Sequence, residues 1–150
     1  MKIMSIANCE RFFRAAAGLD IDKEDVRRYT DFVQRKNYDL LLRAQALAKA
    51  NARDVIEPFD LPITKGLQES MHAYRALEKQ SQLQPLFDSA PQPQLDFAYG
   101  EETVAELPQV VGGLSVALAR SFKIVARLPV NTSLAMTTLE RWSFLPGPNG

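Results

Sequence analysis

The chain has few of the residues from which covalent or metal-linked frameworks are made. Its 150 residues include one cysteine, Cys9, and one histidine, His72. A single thiol cannot close an internal disulfide, and one residue of each type cannot form a Cys/His metal cluster. Neither charge is in excess, since 18 Lys and Arg face 18 Asp and Glu. Proteins that hold nucleic acid by charge carry a basic surplus, because neutralising phosphates supplies most of the non-specific affinity. The balance therefore weighs against strong nucleic-acid binding. No apolar run approaches the roughly 18 residues that would cross a bilayer, and MKIMSIANCERFF lacks the apolar centre of a secretion signal. A cytoplasmic, soluble protein with no membrane contact is expected. Phosphate-binding glycine loops, HExxH, GxSxG and CxxC are also missing. The expectation is a non-enzyme with no cofactor, no metal and no small-molecule substrate.

What is present is helical pattern. With 46% apolar and 24% charged residues, the chain has enough apolar surface to fold. Asn8 can cap a short helix over 8–17 with Phe12, Phe13 and Ala16 on one side, and Gly18 stops it. In GLDID, Leu19 and Ile21 alternate with Asp20 and Asp22, which suits a short extended bridge. Asp22, with Asp25 three residues on, caps a long helix over 23–50 whose stripe is Val26, Tyr29, Val33, Leu40, Ala44, Leu47 and Ala48. Such a helix is roughly 42 Å long and must cross most of a small molecule. Val55-Ile56 forms a second extended piece. Pro58 opens a third helix whose stripe Ile63, Leu67, Met71, Tyr74 and Leu77 carries it to about Gln80.

The second half follows the same plan. A short helix over 81–90, the connector PQPQ and the alternating LDFAY lead to an apolar-periodic stretch over 101–127, interrupted by Pro108 and Gly112-Gly113. A loop with an extended piece, a last helix capped by Thr137 and a flexible tail over 146–150 complete it. Sliding the first half by 78 residues sets Leu19 on Phe97, Ile21 on Tyr99, Val26 on Val104, Tyr29 on Leu107, Val33 on Val111, Leu40 on Leu118 and Ala44 on Phe122. Ile56 falls on Leu134 and Leu61 on Leu139 at the same offset. The chain reads as one compact all-α domain over 1–150, made of pseudo-repeats 8–80 and 82–145.

The segment AKANARDVIEPFDL resembles the second loop and third-helix start of histone-fold proteins: an alanine-rich helix end, an arginine, a short bridge and a later aspartate. Arg53 leaves the long helix while Asp60 sits in the first turn of the next, so a bidentate ion pair between them would clamp the bend. Taken whole, the chain resembles a small bacterial family of histone-like proteins of unassigned function, a domain of unknown function in which two histone folds are fused. The stretches that carry the likeness are RFFRAAAGLDIDKEDVRRYTDFV, NARDVIEPFDLPITKGLQES and ELPQVVGGL, within residues 8–125. The second half departs from the pattern, with Asn131 and Thr138 where the offset would repeat Arg53 and Asp60. The resemblance implies a tandem histone-fold pseudo-dimer: two long helices crossing antiparallel, short flanking helices and very short β-bridges in the loops. Each unit supplies the other's apolar partner at high effective concentration. Gly112-Gly113 would let two backbones approach at a crossing, or is simply a weak helix spot.

Histone pairs contact double-stranded DNA through paired loops and helix N-termini. By that resemblance the candidate DNA-binding residues are Arg11, Arg14, Lys23, Lys49 and Arg53. Against this, Arg53 is expected to be consumed by Asp60, and the first loop carries Asp20 and Asp22. Residues 1–75 hold 13 basic and 11 acidic side chains, whereas residues 76–150 hold 5 and 7. The function expected first is a nucleoid-associated protein binding DNA weakly and without sequence preference; the alternative is a histone-fold module for self-association or binding another protein. His72 and Cys9 read as structural, as do Glu101, Glu102 and Glu106 at a helix start. Trp142 and Phe144 either cap the core or form a self-association patch.

Overall fold

The computed structural model describes residues 5–81 and 92–126, and is mostly helical. Helix α1 spans Ile6–Ala17 and α2 spans Lys23–Ala50. Strand β1 is Val55–Ile56 and is followed by a single 3-10 turn, Pro58–Asp60. Helix α3 spans Lys65–Ser81, β2 is Ala98–Tyr99, and α4 spans Glu101–Ala126. The expected short helix after residue 81, the extended piece at Leu134, the Thr137-capped helix, Trp142, Phe144 and the 146–150 tail lie outside the described residues.

Local chemistry sets the boundaries. Ser5 rather than Asn8 caps α1: its Oγ accepts the Asn8 N–H at 3.2 Å, so the helix begins at Ile6. Three residues separate a cap from the N–H it accepts, and Asn8 is thus the donor inside the first turn. Gly18 ends the helix in the left-handed region at φ 64°, with its N–H on the Arg14 carbonyl. A reciprocal capping box opens α2. The Asp25 N–H donates to Asp22 Oδ1 at 2.8 Å, and the Asp22 N–H donates to Asp25 Oδ2 at 3.2 Å. At the far end Ala52 takes a positive φ of 57°, turning the chain toward β1.

Two further expectations are corrected. Pro58 does not open α3; it opens the 3-10 turn, and α3 starts only at Lys65. Pro62 is the reason, because it holds Leu61 in extended backbone at φ −66°, ψ 125°. Nor is the second long helix interrupted, since α4 runs unbroken through Pro108 and Gly112-Gly113. Pro108 removes one backbone donor to Val104, a loss offset by the packing of α4 against α1, α2 and α3.

Val55 and Ile56 pair in parallel with Ala98 and Tyr99. This bridge brings the start of α4 to the end of α2. At the other end Phe13 of α1 touches both Tyr29 of α2 (5.2 Å between centroids) and Phe122 of α4 (6.2 Å). The two long helices therefore run in opposite directions. Their contact includes a buried hydrogen bond of 2.6 Å between Tyr29 Oη and Ser115 Oγ, and Ser115 Oγ also donates to the Val111 carbonyl at 2.7 Å. The core collects Phe12, Phe13, Tyr29, Val33, Leu41, Ile56, Tyr74, Leu107, Val111 and Phe122, all fully or almost fully buried.

The glycine pair meets α3, not α2. A Cβ on Gly112 would lie 2.3 Å from the Tyr74 ring, and one on Gly113 would lie 2.5 Å from the Met71 side chain and 3.0 Å from its backbone nitrogen. Here glycine permits a close helix contact.

Candidate functional site

Arg53 and Asp60 meet as their spacing indicates. Arg53 Nη1 and Nη2 donate to the two Asp60 oxygens at 2.6 Å each, and the Glu57 N–H adds a third bond to Asp60 Oδ2 at 2.9 Å. Hydrogen bonds from the guanidinium hold the Asp60 carboxyl below the usual carboxylate range, and the same pairing raises Arg53. One face of the guanidinium covers the Phe59 ring, 4.6 Å from its centroid. Phe59 itself is 71% exposed. Arg53 is thus engaged on its edge and on one face.

The remaining candidate cations divide between the two ends of α2. Arg11 and Arg14 are exposed on α1, and Lys23 is exposed in the first turn of α2. Arg14 Nη2 bonds Asp20 Oδ1 at 3.1 Å, so the acidic first loop neutralises it in an exposed pair. Lys49 lies in the last turn of α2, about 39 Å along the helix from Lys23 at 1.5 Å per residue. A rigid helix cannot bring these groups into one patch.

Each end has its own charge character. At the β1–β2 end, Lys49 and Arg53 share the surface with Asp54, Glu57, Asp96, Glu101 and Glu102, while Asp60 lies buried beneath. Glu57 sits against Gly100, whose added Cβ would lie 3.0 Å from its carboxylate. The Gly100 N–H and Thr103 Oγ1 both donate to the Ile56 carbonyl, at 2.9 and 2.7 Å, while the Phe97 N–H donates to Gln45 Oε1 at 3.2 Å. These bonds lock the acidic start of α4 beside β1. At the opposite end, where α4 finishes near the start of α2, the exposed cations Lys23, Arg27, Arg120 and Lys123 share the surface with the exposed carboxylates Asp20, Asp22 and Glu24. Sequence reasoning missed Arg120 and Lys123, because nothing local says at which end a distant helix finishes.

Cys9 is fully buried, and its thiol is pushed up to about 12, first by burial and then by Glu10. That makes it a poor nucleophile at neutral pH. His72 is exposed on α3. Among the described residues no three His, Cys, Asp or Glu side chains are grouped to hold a metal, and no helix is long and apolar enough to cross a membrane. Glu101 and Glu102 occupy the first turn of α4, where negative charge favours the terminus.

Burial on the two long helices recurs at the 78-residue offset. Asp25, Tyr29, Val33, Asn37, Leu41 and Ala44 are buried on α2; Thr103, Leu107, Val111, Ser115, Ala119 and Phe122 are buried on α4. Two of these pairs are polar, Asp25 with Thr103 and Asn37 with Ser115.

The chain is similar to proteins from two bacteria, Thermus thermophilus and Aquifex aeolicus. The crystal structure of a Thermus thermophilus protein matches with a TM-score of 0.75 and 37% identity, covering 93% of this chain and 98% of that one. An Aquifex aeolicus crystal structure matches with a TM-score of 0.69 at 21% identity, covering 95% and 97%. By sequence, two uncharacterised Aquifex aeolicus proteins are 27% identical over 106 residues and 33% identical over 73. The chain spans only 62% and 44% of their lengths. A family model described as a domain of unknown function, DUF1931, matches residues 9–139, and the chain belongs to that family.

Proposed function

We propose that the chain is a single-chain histone-fold pseudo-dimer that serves as an interaction module rather than as a DNA-wrapping histone. Support for the doubled fold comes from the parallel β1–β2 bridge, which joins the second loop of one unit to the first loop of the other. The burial register that recurs at the 78-residue offset supports it too. The observation that carries the functional reading is the charge at that bridge. Paired loops are where a histone pair meets phosphate, and here Lys49 and a clamped Arg53 stand among five surface carboxylates. Each phosphate contact needs an available cation, and this end repels phosphate instead.

Gel retardation of a duplex tests the reading. No shift is expected at micromolar protein in about 50 mM salt. Retardation that fades as salt rises and is lost in Lys49→Glu would overturn it. A second reading, one-sided and weak DNA contact, is favoured by the exposed cations Lys23, Arg27, Arg120 and Lys123 on the helix turns away from the acidic bridge. In that case retardation persists in Lys49→Glu and is lost in Lys123→Glu.

A further inference from the structure

We draw no further inference here: the strongest candidate, the exposed Phe59 ring stacked by Arg53 among the surface carboxylates of the bridged loops, carries nothing because nothing in the structure shows what covers it.

Discussion

Helices α2 and α4 have nearly the same length, 28 and 26 residues, and share one burial register, yet they occupy different environments. The register they share is the face each turns to the core. They differ on the remaining faces. α4 also buries Val110, Gly112, Gly113 and Val116, and α3 lies against it, so little of its girdle reaches water. α2 keeps Asp31, Arg35, Tyr38, Asp39 and Leu42 exposed. Its 28 residues contain eleven charged side chains, where those of α4 contain five. A helix with one apolar stripe sits at a surface, and one that is apolar nearly all round sits inside. Of the two long helices, α4 is therefore the inner one and α2 the one nearer the surface.

The largest effect expected from breaking that contrast is at Gly112. Gly112→Val would force the Tyr74 ring out of its place and should destabilise the fold by about 3 kcal/mol or more. The gain in helix propensity over glycine, less than about 1 kcal/mol, cannot offset it. Gln34→Val at the matching α2 position should stay within about 0.5 kcal/mol. Urea denaturation of both variants measures the difference, and equal effects would mean that the two faces are not unlike.

The clamp comes next. Asp60→Ala removes the bidentate pair and a backbone bond from a buried carboxylate, and should cost roughly 1–3 kcal/mol at neutral pH. Because the folded chain holds Asp60 below its ordinary range, its contribution is complete above the ordinary carboxylate value near about 4 and is lost as pH falls below it. Asp25 acts in the opposite sense. Burial raises its carboxyl, so the charged form carries a cost at neutral pH that is relieved as pH falls through the raised value. Thermal melting of wild type and Asp60→Asn between neutral and acid pH should show a flatter acid limb in the variant. An unchanged limb would remove the clamp from the account.

The smallest effect is at the helix entrance. Asp22→Ala should cost about 1 kcal/mol, because the capping box loses one of its two bonds. Glu101→Ala at the start of α4 should cost a few tenths, the size of an exposed charge at a helix terminus. Melting temperatures of the two variants check the order.

Much of this was legible in advance. The bounds of α2, the stop at Gly18, the Asp22–Asp25 box, the Val55-Ile56 bridge and the Arg53–Asp60 clamp all rest on groups within a few residues of one another. The errors came from the same source. Pro108 and the glycine pair are helix breakers by local propensity, and only contact with Tyr74 and Met71 turns Gly112 and Gly113 into a packing device. The candidate DNA contacts were chosen by residue type, as cations. Whether each cation was available depended on Asp20, on Asp60 and on carboxylates brought in by α4.

By itself the sequence determined α2 and its Asp22 cap, the stop at Gly18, the short extended piece at Val55-Ile56 and the clamp, because these depend on periodicity and on short-range hydrogen bonding. Only the tertiary structure decided that α3 covers the glycine pair of α4, and that the bridged loops form an acidic end. Those outcomes depend on which distant surfaces meet. A single pair of glycines selects the closer helix contact, and an antiparallel return determines which charges share an end.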